Sequence, residues 1–445
     1  MNTVGRIYIS RDLMKKLALP VQNEIKVRVG NLLVNSELVI QDLKKKSYML
    51  SPSLAGALYI KKRKHMKLRY DQRENIIHLG PTIGILSTFL PNRGEYDPLS
   101  MHAELIFLSN IGKTLAGQVY VFTPGSINWS NNTARGYVYK QVTPDRGVWV
   151  ANIYPLPDVV YDRIPSRSSE ARSLIRNTKN RLCRLPYLKY FNPSFLNKWK
   201  VYQLLINDPS LHPYMPETRV LTAENLVDLL AKYNIIFLKP ANGSLGKGII
   251  KVKRDEKGTL HFVTSSRRKI RSSADSVAEL MKKTRDYRGN RAYIAQQGIS
   301  LASYKGSPFD LRIVYQKNAR GIWQTSKSFV RVAPRGSSVS NLASGGRVEK
   351  TKHVLKYLYK KGAVVEEKFL HIKRLCQQVA ETLEKASQAN YGELGLDIGL
   401  DKNGSPWLIE VNSKPRKTTE SEVSQVIVKN TFRRPLEYSS YLAGF

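Results

Sequence analysis

Period and punctuation along the chain predict an α+β protein in three units: a basic, mostly-β N-terminal domain (residues 1–78), a small α/β domain (79–190) and a larger, mostly antiparallel α+β unit (191–445). Three observations carry the prediction. A length of 445 residues leaves room for about three domains at roughly 150 residues each, and each can bury a core of its own. Short strands in which aliphatic residues interleave with Lys and Arg give way at HLGPTIGILSTFL to a strand, helix, strand order, the mark of a parallel α/β unit. From about residue 191 the alternation changes again, and the chain closes on two period-two strands around a short loop.

In the first domain, RIYIS, EIKVRVGNLLV, ELVIQDL and ALYIKKRKHMKLRY read as strands. The run Lys61-Lys62-Arg63-Lys64 is either an anion-binding surface or the solvated, edge-protecting face that lysines commonly make; it is kept as a weak partner site. The second domain takes GPTIGILSTFL as a buried strand, a helix around residues 98–116, then GQVYVFTP and DVVYDRI as further strands. Arg172, Arg176 and Lys179 follow at helical spacing, as a solvated helix face. The third unit opens on a helix near Ser194 and the segment HPYMPETRVL, followed by the helix NLVDLLAKY and the strands NIIFLKP and GIIKVKR around a glycine-rich turn. TLHFVTS, a helix at 276–285, and the strands YIAQQGI, FDLRIVYQ and WQTSKSFVRVAP come next. The loop NLASGG, a long amphipathic helix over 366–389 and the final strand pair complete the order.

A hydrophobic fraction of 42% and a charged fraction of 24% exclude a fully disordered chain, a collagen-like repeat and a coiled-coil rod. The charge balance is unusual: 72 Lys plus Arg against 35 Asp plus Glu give a net charge of +37. Such a field attracts polyanions of any kind and names no partner. No apolar stretch approaches the ~20 residues that cross a bilayer, and the first residues lack a basic segment followed by an apolar one, so cytoplasmic synthesis without export is expected. Cys183 and Cys376 read as ordinary thiols.

The sharpest constellation is GELGLDIGLDKNGSPWLIEVN. With Asp401 facing Pro406, Leu396 faces Val411, Ile398 faces Ile409 and Leu400 faces Trp407, giving one continuous apolar face. The other face carries Asp397 opposite Glu410, with Asn412 on the same side across from Gly395. Two opposed carboxylates repel each other, and either neighbouring Lys and Arg side chains or a bound cation offsets them. Oxygen donors beside Gly395 and Gly399 suit Mg²⁺, which completes its octahedron with waters and phosphates, and Mg²⁺ is the reading taken. In FLKPANGSLGKGIIKVKR, Gly243, Gly246 and Gly248 can bring backbone N–H groups close to an anion beside Lys239. The spacing fits neither the Walker A pattern nor GxGxxG.

Lys239 with its glycine-rich hairpin, YIAQQGI, FDLR, the NLASGG loop and the closing Asp397, Glu410 and Asn412 stand in the order of an ATP-grasp domain. With GPTIGILSTF, PLPDVVYDRI, FLNKWKVYQLL, YMPETR and FDLRIVYQKN, nearly the whole chain resembles the YheC/YheD-type, endospore coat-associated ATP-grasp family, closer to the YheD type in its extra N-terminal domain. The resemblance implies an ATP-grasp fold preceded by a pre-ATP-grasp domain. It implies that Lys198 and Lys239 contact ATP phosphates beside Gly243, Ser244, Gly246 and Gly248, and that Gln296, Gln297 and Ile299 read the adenine edge. It implies Arg312 and Arg331 at the γ-phosphate or developing acyl phosphate, Asn341 in a loop closing toward the phosphates, and Asp397, Glu410 and Asn412 as Mg²⁺ ligands. Bland alternatives stand beside these roles: Arg312 and Arg331 can pair with Asp310 or a surface acid, Gln297 can satisfy a sheet end, and Lys200 competes with Lys198 for the first lysine position.

The function implied is an ATP- and Mg²⁺-dependent ligase that activates a substrate carboxylate as an acyl phosphate for attack by an amine or other nucleophile, in spore formation. Positive charge points to an anionic or carboxylate-bearing substrate, including a polymer. Two rivals stand: a spore coat-associated adaptor that binds ATP without turnover, and a polyanion-binding protein. Against the last, the chain has no recognised nucleic-acid-binding motif, and no Ser-His-Asp or Cys-His signature supports a hydrolase. Localisation at the endospore coat or forespore surface after mother-cell synthesis, with coat proteins as partners, follows from the resemblance.

Overall fold

The computed structural model of the chain describes residues 3–43, 47–61, 64–90, 100–143, 146–243, 246–265, 270–334, 346–418 and 424–445. Ser244, Asn341, Lys62, Arg63 and the first five residues of NLASGG lie outside them.

The first sheet has six strands in the order Tyr48–Leu50, Arg6–Ile9, Leu32–Ile40, Glu24–Val29, Ile76–Gly80, Lys67–Asp71. Their buried aliphatics, among them Ile7, Ile9, Val27, Val29 and Ile77, form its core. NLLV and ELVI are one strand, because Ser36, buried between them, spends its hydroxyl on the Val4 carbonyl at 3.2 Å. ALYI is not a strand. Ser51 accepts the Leu54 N–H at 3.3 Å and starts the helix Pro52–Ala57, with proline just inside the start where its missing N–H costs nothing. Lys61 and Lys64 are not a free anion-binding surface: Lys61 Nζ donates to Asn152 Oδ1 at 2.7 Å and Lys64 Nζ to the Leu115 carbonyl at 3.0 Å, both across to the second sheet's domain.

The chain passes to the second sheet between Gly80 and Thr82. There Thr82–Leu86 is flanked in parallel by Gln118–Phe122 and Val159–Asp162, and Lys189–Phe191 runs parallel beyond the latter. The crossover helix Met101–Thr114 buries Leu105, Leu108 and Ile111 on it, as the strand, helix, strand order predicts. A long hairpin, Thr133–Thr143 with Arg146–Pro155, extends this sheet and was not evident in the sequence pattern. Of the basic helix Ser173–Cys183, Arg176 is solvated whereas Lys179 is buried and paired.

The third unit holds two antiparallel sheets. One runs Thr218–Val220, Tyr293–Gln297, Ile235–Pro240, Ile250–Arg254, Leu260–Thr264, Arg271–Ala274, with helices Ala223–Lys232 and Val277–Lys283 contributing to its core. The other runs Arg347–Lys350, Trp323–Val332, Ser307–Lys317, Glu393–Leu400, Pro406–Asn412. It packs on Lys198–Ile206 and the amphipathic helix Gly362–Ser387, which buries Ile372, Leu375, Val379 and Leu383 at helical spacing. A last helix, Gln425–Leu442, follows the final strand pair and drives Val428, Phe432 and Leu436 into the core of the second sheet. Pro435 inside it disguises it in the sequence, because an internal proline ordinarily argues against a helix.

Buried ion pairs bolt the second domain to the segment after Asn412. Arg163 bonds Glu104 and, at 2.9 Å, Glu393, while Lys417 reaches Glu393 at 2.9 Å and the Tyr161 hydroxyl at 2.8 Å. Beside them Lys414 and Lys179 share Asp162 and Glu170 at 2.6–2.8 Å. In each cluster two cations face two carboxylates, so every buried charge has its counterpart.

Candidate active site

The closing hairpin sets the geometry. Gly395 lies opposite Asn412, Leu396 opposite Val411 and Asp397 opposite Glu410, in the predicted register. Beyond Asp397 the register shifts: Ile398 meets Leu408, Gly399 meets Trp407 and Leu400 meets Pro406, so the expected Ile398–Ile409, Leu400–Trp407 and Asp401–Pro406 pairs do not form. The turn explains the shift. Asp401 Oδ1 accepts the N–H groups of Asn403 and Ser405, both at 2.9 Å, and the Asp401 N–H bonds the Ser405 carbonyl at 3.0 Å. An aspartate capturing its own downstream backbone closes the turn one residue early. The surplus residue becomes a bulge at Ile409, and such bulges re-aim side chains. Ile409 leaves the core face and lines a cavity beside Gly399, where a Cβ would stand 3.0 Å from Ile409 Cδ1 and 2.6 Å from Leu301 Cδ2.

Neighbouring strands supply the charges on the Asp397 face. Arg312 is the register partner of Asp397, and Arg331 that of Asp310. Arg312 Nη1 lies 2.6 Å from Asp397 Oδ1, Arg331 Nη2 2.9 Å from Asp397 Oδ2, and Arg331 Nε donates to Asp310 Oδ1 at 3.0 Å. Burial would raise the Asp397 pKa, but the two guanidiniums outweigh it and hold the carboxyl below its ordinary value. Lys198 Nζ lies 2.5 Å from Glu410 Oε1. Of the two ways to offset the opposed carboxylates, this structure therefore displays the cationic side chains. The donors also fit a hard divalent cation: two carboxylates and the Asn412 amide share one face, and a carboxylate oxygen bonded to a guanidinium keeps a lone pair. Among the described residues no three His, Cys, Asp or Glu side chains gather, so such an ion needs the amide.

The other sheet faces this hairpin. Lys239, on Ile235–Pro240, donates to Gln296 Oε1 at 2.6 Å, and Gln296 Nε2 donates to Thr218 Oγ1 at 2.9 Å. Burial pushes the Lys239 ammonium down to about 8; Lys198 adds to the shift, and Glu410 and Asp397 oppose it. Asn197 caps the helix that carries Lys198, and the Lys198 N–H bonds the Ala241 carbonyl at 2.9 Å, which ties this helix to the glycine-rich turn. In that turn Gly246 and Gly248 have φ of +69° and +81°, the left-handed region open to glycine. The Gln297 carbonyl oxygen accepts the Glu217 N–H at 3.0 Å, so this amide does finish a sheet edge.

Between the sheets lies a cavity of about 900 Å³. Lys198, Lys239, Gly246, Gln296, Gln297, Ile299, Arg312, Arg331, Asp397, Glu410 and Asn412 all line it, whereas Gly243 and Gly248 do not. Sequence reasoning missed Ile409, displaced by the bulge, and Phe237. It also missed the end built from Ile164, Arg167, Phe195, Lys414 and Arg416. Lys414 and Arg416 were discoverable as the basic SKPRK run directly after EVN. Arg167 carries no local signal, since only the packing of two domains brings it here.

The family model described as YheC/D like ATP-grasp matches residues 187–442. The chain is 30% identical over 376 residues to the endospore coat-associated protein YheD of Bacillus subtilis (strain 168), covering 83% of this chain and 80% of that protein. It is 28% identical over 334 residues to the endospore coat-associated protein YheC of the same strain, covering 72% and 87%. The crystal structure of D-alanyl-alanine synthetase A from Vibrio cholerae O1 biovar eltor aligns at a TM-score of 0.45 and 15% identity, over 82% of this chain and 97% of that one.

Proposed function

The chain belongs to the YheC/D-like ATP-grasp family, and on that premise we propose that it is an ATP- and Mg²⁺-dependent ligase joining an activated carboxylate to an amine or another nucleophile. One observation carries the reading: Lys239 and Gln296 on one sheet face Asp397, Glu410, Arg312 and Arg331 on the other across a single cavity. That cavity's described lining holds eight Lys and Arg against three carboxylates, a balance suited to anionic ligands.

In this reading Gln296, Gln297 and Ile299 receive the adenine edge, with Ile409 and Phe237 as apolar walls. Lys239 and Lys198 hold the phosphates, and the glycine-rich turn that carries Gly246 approaches them. A substrate carboxylate attacks the γ-phosphorus, releasing ADP, and the nucleophile then expels phosphate from the acyl phosphate. Arg312 and Arg331, fixed by Asp397 and Asp310, stand where negative charge moves onto the transferring oxygens, and preorganised cations there lower the barrier. Asp397, Glu410 and Asn412 would hold Mg²⁺, which supplies charge neutralisation between phosphate oxygens when bound. The names of the two Bacillus relatives, both endospore coat-associated, support partners on the spore coat; action in spore formation after synthesis in the mother cell is part of the same proposal.

The test is calorimetry of Mg·ATP binding to wild type, Glu410→Gln and Lys239→Ala, with inorganic polyphosphate as a charge control, followed by ADP release with a panel of carboxylates and amines. Saturable binding that needs Mg²⁺ and collapses in both variants, with carboxylate-dependent ADP release, is expected. Binding matched by polyphosphate refutes the nucleotide site. Specific binding without ADP release for any carboxylate replaces the ligase by a coat-associated adaptor that retains ATP.

A further inference from the structure

The charges around the cavity do not balance evenly along it. Its three lining carboxylates are all engaged: Asp310 and Asp397 by Arg331 and Arg312, Glu410 by Lys198. At the end built by the second domain and the segment after Asn412, the lining charges are Arg167, Lys414 and Arg416, with no carboxylate among the described residues. Lys414 is spoken for from behind by Asp162 and Glu170. Arg167 is drawn through space by Glu410 and Glu170 but pairs with neither. Arg416 is exposed and forms no hydrogen bond or ion pair with a described residue. Arg167 spends one N–H on the Leu196 carbonyl at 2.6 Å and lies over the Phe195 ring at 5.2 Å, without a carboxylate at ion-pair distance.

A guanidinium has five N–H donors in a planar fork; that of Arg167 is partly withdrawn from water with most of them unspent, which is costly unless an anion completes it, while exposed Arg416 offers its free fork to the same end of the cavity. In the proposed function Lys198 and Lys239 hold the phosphates, which leaves these two forks for another anion. We propose that Arg167 and Arg416 form a carboxylate-binding subsite, and that the substrate joined here carries at least one carboxylate beyond the one that is activated, as an acidic peptide does. The identity of the activated group rests on the ligase reading; the subsite rests on the two arginines alone.

The experiment uses the full chain saturated with Mg·AMP-PNP at about 0.15 M ionic strength, where long-range attraction is screened beyond ~8 Å. Calorimetry compares triglutamate with triglutamine, which match in shape and differ in charge. Triglutamate is expected to bind at least about tenfold tighter, and Arg167→Gln and Arg416→Gln each to erase most of that preference, as loss of a charge-assisted fork weakens binding by about ten- to a hundredfold. Nucleotide affinity is titrated in both variants, and a loss equal to the loss of triglutamate affinity assigns the arginines to the nucleotide and overturns the subsite. Lys257→Gln, an exposed turn residue elsewhere on the surface, removes the same unit of charge and leaves the preference intact. The subsite is overturned if neither arginine variant changes the preference, or if Lys257→Gln lowers it equally. ADP release is followed separately: its absence, with arginine-dependent binding preserved, ends the ligase reading and keeps the subsite.

Discussion

In the proposed function, Lys239 makes nucleotide binding a titration. Its ammonium is held down to about 8 by burial and by Lys198, against the pull of Glu410 and Asp397, and among the described residues it donates a hydrogen bond to Gln296 Oε1 at 2.6 Å. Phosphate oxygens arriving beside it favour the charged form. If they restore the ordinary lysine value of about 10.4, linkage fixes the sign: affinity is fully developed below pH ~8 and is lost as pH rises, because the free protein must then take up a proton to bind. Between pH 7.5 and 9.5 the dissociation constant of Mg·AMP-PNP should rise about twentyfold, and near pH 8 each binding event should take up about half a proton. Calorimetry in buffers of different ionisation enthalpy measures both quantities. Lys239→Gln should bind about ten- to a hundredfold more weakly at pH 7.5 and show no slope from this group. A flat wild-type profile across this range, or an undiminished slope in Lys239→Gln, would refute the reasoning.

Two further outcomes follow from the packing. Arg163→Met leaves Glu104 and Glu393 with Lys417 as their remaining cation and should cost about 3–5 kcal/mol in denaturant unfolding, as breaking a buried pair does. Burial alone would raise the Glu393 pKa, but Lys417 and Arg163 hold it below its ordinary value. Its contribution is therefore present above the ordinary carboxylate range and lost as pH falls, and the variant's acid-unfolding midpoint should move to higher pH. Gly399→Ala places a methyl 2.6 Å from Leu301 Cδ2 and 3.0 Å from Ile409 Cδ1. Both are side-chain ends that can yield into the cavity, so nucleotide affinity should fall severalfold, about 1 kcal/mol, while the denaturant midpoint hardly moves.

Much of this fold was legible because its signals are local. The strand, helix, strand order of the second domain, the hairpin carrying Asp397 and Glu410, and the amphipathic stripe ending near Ser387 are each written within about thirty residues of chain. What escaped depends on events without a period. The bulge at Ile409 follows from Asp401 closing its turn a residue early, a decision made by one side chain. The helix Gln425–Leu442 is masked by its internal proline, and the helix at Pro52–Ala57 by the aliphatic residues that follow it. Arg167 reaches the cavity only because two domains pack together, so nothing in its neighbourhood marks it. Lys61 and Lys64 show the converse: a conspicuous basic run whose described lysines serve as struts between domains.

The ion-pair clusters on either side of the Ser413–Lys417 segment bear on how the cavity can open. Separating Arg163 from Glu393, or Lys414 from Asp162, would strand charges out of water at several kcal/mol each. The cavity wall that carries Lys414 and Arg416 is thus clamped to the second domain. The opposite wall has no buried ion-pair cluster among the described residues: the Lys239 sheet is joined to the Glu410 hairpin by backbone hydrogen bonds of Ser300–Ala302 with Leu400 and Lys402. In the proposed reaction, exchange of the nucleotide would therefore proceed by displacement of the Lys239 sheet against the clamped Ser413–Lys417 segment.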